Sequence, residues 1–416
     1  MTVMFTNMYW IIFIALIAPI CESIQKDTKK YDFELVYQWK LLQFKFESEA
    51  ERSEALNNGS YKINNIRPID AQPTYNEKSK KERIFITIPR TELTGTPATL
   101  GVVTEETRDG SPIIEAYPSR SWHVELEKCN EHRIVSVFRV WADECGRLWV
   151  MDNAKVGEVF PCTPQILAFD LETDTLLYKY ELPYDQYQNV SLYLTPVAEI
   201  ESMKDNCKKT WLYVSDSDGP RLLVYNLEKN VSWAIQDESF KPDPNYENYT
   251  IQGDSIQVAD GILSVALSPK TDHPKERKLF YHSMSNIRES WVYLKDLKNP
   301  ENFKKPYGSP QLFHTYPTTR DQQSPVEAID SKGLVYFALL IDVLIVKWDP
   351  TTSYKRQNFK VIADNKNTMQ FPTGFKIPPH NPDGKDVLWV FPTAYQKFQK
   401  ELNGSEVNFR LFRAEL

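Results

Sequence analysis

The sequence has little of what common catalytic centres are built from. Its six histidines stand singly, with no second histidine at helical spacing and no cysteine partner in a zinc-binding pattern. They are His123, His132, His273, His282, His314 and His380. Neither a Gly-x-Ser-x-Gly elbow nor a phosphate-binding loop is present. We therefore expect no metal, no cofactor and no catalytic residue, and the sequence favours a protein that is not an enzyme.

Long runs of charged residues or of apolar residues are also scarce. The net charge of −7 is spread along the chain, and no run of Lys and Arg is long enough to follow a phosphate backbone, which argues against nucleic-acid binding. The apolar run at residues 10–20 is too short for a membrane span but has the length of a signal peptide, and the small residues Cys21 and Ser23 follow it. We expect residues 1–23 to be a signal peptide and residues 24–416 to be one secreted domain.

Cysteines and sequons agree with secretion. Without Cys21, four cysteines remain, an even number that suits an oxidising compartment and predicts two disulfides. Five Asn-x-Ser/Thr sequons predict glycosylation. Their asparagines are Asn58, Asn189, Asn230, Asn248 and Asn403.

Strand-like segments recur along the chain in six pairs. The pairs are 83–88 with 98–103, 147–152 with 166–171, 211–215 with 222–227, 279–283 with 291–297, 334–339 with 344–349, and 387–391 with 408–416. The first members start roughly fifty to seventy residues apart, which leaves room for four strands per repeat. The pattern predicts an all-β, six-bladed β-propeller with four-stranded antiparallel blades around a central channel. A β-sandwich is the competing architecture, but it does not require six such repeats.

Two further segments fit this arrangement. The strand-like segment 33–46 lies outside the six pairs and is expected to complete the last blade, and segment 49–56 is the best short helix. Cys145 and Cys207 each stand four residues before a tryptophan in successive repeats. Because equivalent positions in adjacent blades are neighbours, we pair Cys145 with Cys207 and Cys129 with Cys162, although four cysteines allow three connectivities.

Several motifs resemble a known family. Residues 143–152 (DECGRLWVMD) and 162–171 (CTPQILAFDL) are similar to the signature of the insect yellow and major royal jelly proteins. Matches also occur at 37–40 (YQWK), 88–90 (IPR), 95–100 (GTPATL), 261–262 (GI), 266–269 (ALSP) and 407–410 (VNFR). The resemblance covers nearly all of the mature chain and is closer to the major royal jelly branch. It implies a six-bladed propeller but leaves the function open, because family roles range from nutrition, venom and saliva to amine binding and pigment chemistry.

The central channel is the expected ligand site, because it gathers side chains from every blade. In amine-binding salivary relatives a threonine, an asparagine and a phenylalanine hold the ligand, and the resemblance places Thr373, Thr393 and Tyr395 at those positions. Hydroxyls and an aromatic face suit an ammonium ion or another small apolar or aromatic ligand. The alternative, which the sequence alone favours, is that Thr373 and Thr393 end strands and Tyr395 packs between blades. Asp152 and Asp216 are likewise interpreted as turn caps rather than ligands.

The sequence thus predicts a secreted, non-enzymatic binding, nutritive, or venom or saliva protein with a small-ligand site in the channel. One alternative is a melanin-pathway isomerase that converts dopachrome, although no residue clearly supplies the general base. Another is a self-associating storage protein. Oligomeric state stays open.

Overall fold

The computed structural model describes residues 24–27, 29–76, 80–92, 95–124, 128–188, 190–270, 273–304, 308–379 and 383–416. The predicted signal peptide lies outside these residues. Six antiparallel sheets of four strands form a ring. From the innermost strand outward, blade one is Asp70–Asn76, Lys81–Thr87, Leu100–Arg108 and Ser111–Ala116; blade two is Val137–Ala142, Arg147–Asp152, Gln165–Asp170 and Leu176–Glu181; blade three is Tyr193–Ile200, Thr210–Asp216, Arg221–Asn226 and Val231–Gln236.

The second half of the ring has the same construction. Blade four is Ile262–Leu267, Lys278–Ser283, Ser290–Tyr293 and Phe313–Thr315; blade five is Glu327–Ile329, Val335–Leu339, Leu344–Trp348 and Lys360–Ala363; blade six is Pro372–Lys376, Val387–Pro392, Phe409–Glu415 and Glu34–Trp39. The six innermost strands contact one another in order, and blade six contacts blade one. The six-bladed propeller is therefore confirmed, and segment 33–46 supplies the outermost strand of blade six as predicted.

Burial explains why some strands of each blade could be predicted from the sequence and others could not. The second strands lie between neighbouring blades, so both faces are covered, and every residue of Arg147–Asp152 is buried. Such strands are nearly continuous apolar runs. The outermost strand Leu176–Glu181 has no fully buried residue, because one edge and part of its faces meet solvent. The six predicted pairs are accordingly the second and third strands of each blade, except that the predicted strand 291–297 ends at Tyr293 and Leu294–Leu297 form a helical turn.

Short elements decorate the ring. Parallel strands Gln25–Lys26 and Gln43–Phe44 extend the outer edges of blades five and one. Helix Glu49–Asn57 occupies the predicted position, and the Ser48 hydroxyl caps it by accepting a hydrogen bond from the Glu51 amide at 3.1 Å. The other helices are one-turn segments at Tyr184–Tyr187 and Leu294–Leu297. Described 3-10 turns are Ile63–Asn65, Arg120–His123, Asp205–Cys207, Glu238–Phe240, Pro244–Tyr246, Pro274–Glu276, Pro300–Phe303, Pro310–Leu312, Arg356–Asn358 and Tyr395–Lys397.

One hairpin stands apart from the blades. Strands Asn248–Ile251 and Asp254–Gln257 belong to the connection between blades three and four. The hairpin reaches the turn Tyr395–Lys397 of blade six, on the opposite side of the ring. It therefore covers the end of the channel at which the innermost strands begin.

Candidate functional site in the central channel

The side chain of Arg139 crosses the channel. It comes from the innermost strand of blade two and is only 4% exposed. Its guanidinium donates hydrogen bonds to three carbonyl oxygens and one hydroxyl on the other blades: Leu263 at 2.8 Å, Pro325 at 3.2 Å, Thr373 at 3.1 and 2.8 Å, and the Thr195 hydroxyl at 2.7 Å. One side chain thus links five blades and separates the two ends of the channel.

A second buried cation lies close by. The Lys376 ammonium is 2.9 Å from the Asp70 carboxylate and donates to the Val140 carbonyl oxygen, also at 2.9 Å. Burial lowers the pKa of Lys376, and the negative charge of Asp70 partly offsets this effect. Lys376 and Asp70 join the innermost strands of blades six and one, where the ring closes.

The end of the channel at which the innermost strands finish contains a cavity of about 370 Å³. We call it the polar cavity. Its lining includes Arg139, Trp141, Arg277, Glu327 and Lys376. Its walls therefore combine buried cations with carboxylates, which include Asp143, Asp330 and Asp386.

The three residues singled out in the sequence lie at the opposite end. Thr373 is on the innermost strand of blade six, and its hydroxyl donates to the Phe391 carbonyl oxygen at 3.4 Å. Thr393 directly follows the second strand, and its amide donates to the Phe371 carbonyl oxygen at 3.2 Å. Tyr395 begins the next 3-10 turn. The structure therefore brings all three to one end of the channel but on a single blade.

Aromatic rings surround these residues. The ring centroid of Phe371 is 5.2 Å from that of Tyr395 and 6.4 Å from that of Tyr249, which lies on the hairpin. The three rings belong to one apolar cluster. We call this region, defined by Tyr249, Phe371 and Tyr395, the aromatic end.

Two hydroxyls at the aromatic end are buried without a protein partner. The Thr393 Oγ1 and the Tyr249 hydroxyl have no hydrogen-bond partner among the residues that the structure describes. Leaving a buried hydroxyl unpaired costs about 1–3 kcal/mol. Both groups therefore retain hydrogen-bonding capacity that the described part of the protein does not use.

A carboxylate gives the aromatic end its charge. Burial raises the pKa of Asp260 to about 6, an effect that the hydrogen bond from the Ser217 hydroxyl opposes, the Asp218 charge increases and the Arg139 charge opposes. The Ser217 hydroxyl donates to Asp260 at 3.1 Å. Burial and then the charge of Asp260 raise the pKa of Tyr249 and bring that of Tyr395 to about 12. Asp260 is thus near both tyrosines and is ionised at neutral pH.

The backbone around the aromatic end is strained at two places. Phe371 has φ of +44° and Ala394 has φ of +50°, both in the left-handed region. Non-glycine residues adopt this region at an energetic cost, and such residues concentrate at functional sites. Phe371 lies two residues before Thr373, and Ala394 directly follows Thr393, so both threonines are next to a strained residue.

The strand-end aspartates are structural. Asp152 accepts hydrogen bonds from the amides of Val135 and Ser136 at 3.0 and 2.9 Å and lies 3.1 Å from the Arg133 guanidinium. Asp216 accepts from the Leu192 amide at 2.8 Å. Both are fully buried and occupied by protein donors, which agrees with their interpretation as turn caps.

The structure joins Cys145 to Cys207 and Cys129 to Cys162, with Cα separations of 6.5 and 5.6 Å. This is the pairing that the sequence favoured. The first bond connects the loops that precede the second strands of blades two and three, and the second lies within blade two. Both bonds therefore crosslink the part of the ring that blades two and three form.

The sequons lie on the surface wherever the structure describes them. Asn58, Asn230, Asn248 and Asn403 are exposed, and Asn189 lies outside the described residues. Asn248 is on the hairpin directly before Tyr249. A glycan there would extend from the outer side of the segment that covers the aromatic end.

Sequence reasoning missed Arg139, Tyr249 and Asp260. Arg139 lies on the innermost strand Val137–Ala142, which is outside the strand pairs found in the sequence, and Tyr249 lies on an insertion outside the six repeats. Of these three residues, only Asp260 could have been found from the sequence, because it directly precedes the GI motif at 261–262.

Comparisons with known proteins show which proteins this chain is related to. Residues 135–416 match the family model described as "Major royal jelly protein". The chain belongs to the major royal jelly protein family. Among the members of this family, major royal jelly protein 9 of Apis mellifera is 32% identical, and the match covers 98% of this chain and 94% of that protein. Major royal jelly protein 1 of Apis mellifera is 27% identical over 92% of this chain and 87% of its own.

An enzyme is also similar in sequence. Dopaminechrome tautomerase of Drosophila melanogaster is 28% identical, and the match covers 95% of this chain and 84% of that protein. Among solved structures, a luciferin-regenerating enzyme superposes with a TM-score of 0.44 at 11% identity, covering 84% of this chain and 92% of its own. Virginiamycin B lyase from Staphylococcus aureus gives a TM-score of 0.43 at 10% identity, covering 93% and 100%.

Proposed function

We propose that this major royal jelly protein is a secreted glycoprotein that binds a small aromatic amine at the aromatic end of its channel, without turning it over. The observation that carries the proposal is the pair of unpartnered buried hydroxyls at the aromatic end, Thr393 Oγ1 and the Tyr249 hydroxyl, together with the Asp260 carboxylate, whose charge acts on Tyr249. An ammonium group needs acceptors of this kind in a largely dry site.

Each part of an aromatic amine has a matching group. The ammonium would be held by Asp260 and Thr393, and the ring would pack against Phe371 and Tyr395, whose centroids are 5.2 Å apart. Aromatic faces also attract cations directly. Thr373 positions the site rather than contacting the ligand, because its hydroxyl and its carbonyl oxygen are both used within the protein.

The two ends of the channel differ in charge. The polar cavity is lined by cations such as Lys376 and by carboxylates such as Glu327, whereas the aromatic end has the carboxylates of Asp260 and Asp218. The Asp218 carboxylate is partly neutralised by Lys155 at 2.7 Å. Asp260 is thus the principal anionic group for the ligand.

Secretion is supported by three independent features. They are the signal-like run at residues 10–20, the two disulfides, and the four exposed sequon asparagines. The part of the chain that the structure describes contains no helix with the length and apolar character of a membrane span. We infer that the mature protein begins near residue 24.

Calorimetric titration of the purified glycoprotein with serotonin or dopamine tests this function. We expect saturable heat in the wild type, a large loss of affinity in Thr393→Val and Asp260→Asn, and unchanged affinity in the matched control Asp386→Asn, which lies at the polar cavity. Absence of heat from the wild type with both amines would exclude amine binding.

A second candidate is a tautomerase that acts on oxidised catecholamines. Two observations favour it: the similarity to dopaminechrome tautomerase, and the presence of Asp260, whose pKa of about 6 suits a general base. An enzyme would accelerate the loss of dopachrome or dopaminechrome absorbance catalytically, and Asp260→Asn would abolish the acceleration. A binding protein would slow that loss at most in proportion to its concentration.

A further inference from the structure

A cluster of three ionisable side chains is buried between blades four and five, away from the aromatic end. His282 lies on the second strand of blade four, Glu289 directly precedes the third strand, and Glu327 begins the innermost strand of blade five. Their exposed fractions are 1%, 1% and 4%. Burial of this kind is rare for glutamate unless a cation compensates it.

The ligand atoms have the spacing of a coordination shell. His282 Nδ1 is 2.9 Å from Glu289 Oε2 and 3.7 Å from Glu327 Oε2. One atom from each residue lies within 4.8 Å of the others. When metal–ligand bonds are about 2.1 Å long, two neighbouring ligand atoms are about 3.0 Å apart if the angle at the metal is about 90° and about 3.4 Å apart if it is tetrahedral. The observed separations bracket these values.

The histidine has the orientation of a metal ligand. Its Nε2 is 3.0 Å from the Ser324 carbonyl oxygen, which can only accept a hydrogen bond, so Nε2 carries a proton. With the proton on Nε2, the Nδ1 of a neutral imidazole carries a lone pair, and Nδ1 is the atom that faces the two carboxylates. A carbonyl oxygen behind the second nitrogen is the usual support of a metal-bound imidazole.

Apart from the 2.9 Å contact between Glu289 Oε2 and His282 Nδ1, the two carboxylates are unpaired in the described part of the chain. Within the described part of the chain, neither oxygen of Glu327 nor Glu289 Oε1 has a hydrogen-bond partner. The nearby guanidinium of Arg320 is directed at carbonyl oxygens instead, including those of Arg288 at 2.7 Å and Gln322 at 2.8 Å. Two buried carboxylates and a lone pair therefore face one another without a bonded cation.

We propose that His282, Glu289 and Glu327 bind one divalent transition-metal ion, and that zinc is the best match. One imidazole nitrogen and two carboxylate oxygens suit zinc, and three protein ligands leave one tetrahedral position for water or a small molecule. The ion would neutralise both glutamates and join blade four to blade five. Glu327 also lines the polar cavity, so the site adjoins the end of the channel that the amine does not use.

Metal content and thermal stability of the intact glycoprotein test the site. We expect about one bound ion per chain by plasma mass spectrometry after removal of loosely bound metal, and its loss after prolonged dialysis against EDTA. Zinc added to the stripped protein should raise Tm by a few degrees once its free concentration is far above its Kd. Glu327→Gln should bind no ion and show the same Tm with and without EDTA.

The matched control is His273→Gln, which removes an exposed histidine and should retain the ion and its effect on Tm. Substoichiometric metal in the wild type, together with a Tm that neither EDTA nor added zinc or manganese changes, would overturn the proposal. In that case Glu289 and Glu327 share a proton, and Glu327→Gln should leave Tm unchanged or raise it. The amine titration does not depend on these results.

Discussion

The Arg139 guanidinium donates two hydrogen bonds to the backbone carbonyl oxygen of Thr373, at 3.1 and 2.8 Å. The threonine that a family resemblance selected as a ligand residue is therefore held through its main chain by a residue of another blade. This contact couples the aromatic end to the centre of the ring. We therefore expect substitutions of Arg139 to lower the stability of the fold rather than to remove a contact with the ligand.

Replacing Arg139 by glutamine should destabilise the propeller by about 3–5 kcal/mol, because the buried carbonyl oxygens of Thr373 and Pro325 would lose the guanidinium as a donor. Chemical denaturation followed by tryptophan fluorescence measures this loss. Arg288→Gln is the control, since Arg288 is exposed and its replacement should stay within about 0.5 kcal/mol of the wild type. Equal effects of the two substitutions would show that Arg139 does not hold the ring together.

Removing either disulfide should lower stability appreciably. The loops closed by Cys129 with Cys162 and by Cys145 with Cys207 span 33 and 62 residues, for which chain entropy gives about 4 kcal/mol each. Serine substitution of both partners of one bond, followed by thermal unfolding, measures the effect. Peptide mapping without reduction should find these two links, and a Cys129 to Cys145 peptide would contradict the pairing.

Amine binding should weaken in acid. The pKa of Asp260 is raised to about 6, so its carboxylate becomes protonated as the pH falls through that value, whereas an aliphatic amine stays charged. Between pH 7 and pH 5 the affinity should fall about tenfold. Calorimetry at both values measures the change, and Asp260→Asn should bind weakly with little dependence on pH. An affinity that rises in acid would exclude Asp260 as the counter-ion.

Glycosidase treatment should reveal glycans at the exposed sequons. Asn58, Asn230 and Asn403 hold their side-chain oxygens in local hydrogen bonds, from the Ser60 amide, the Tyr225 hydroxyl and the Ser405 amide respectively. Their amide nitrogens are thereby oriented outward. We expect a mobility shift after enzymatic deglycosylation and deamidated asparagine at these positions by mass spectrometry. An unmodified mature protein from an insect host would contradict both glycosylation and the secretory route.

The sequence predicted the ring but little of its interior. Second and third strands such as Arg147–Asp152 are covered on both faces, so they form long apolar runs that are visible without a structure. Innermost strands mix polar with apolar residues, as in Glu327–Ile329, because they line the channel. Residues from different blades meet only once the ring has closed, so no spacing along the chain links His282 to Glu327 or Tyr395 to Asp260. Helix Glu49–Asn57 was predictable because its capping signals are local.

Lys347 joins the third strand of blade five to the start of the described chain. It donates to the Tyr31 hydroxyl at 2.8 Å and lies 2.5 Å from the Asp27 carboxylate. The segment that carries Asp27 adds the parallel strand Gln25–Lys26 to blade five. Lys347 therefore holds this added strand in place.

Blade six has consequences for biosynthesis. Its outermost strand, Glu34–Trp39, is synthesised before the other five blades, but its neighbour Phe409–Glu415 follows all of them. Until that neighbour is made, the early strand has no partner and the ring stays open. A premature stop shortly before residue 409 would keep the ring open, so quality control should retain such a product even though five blades are complete.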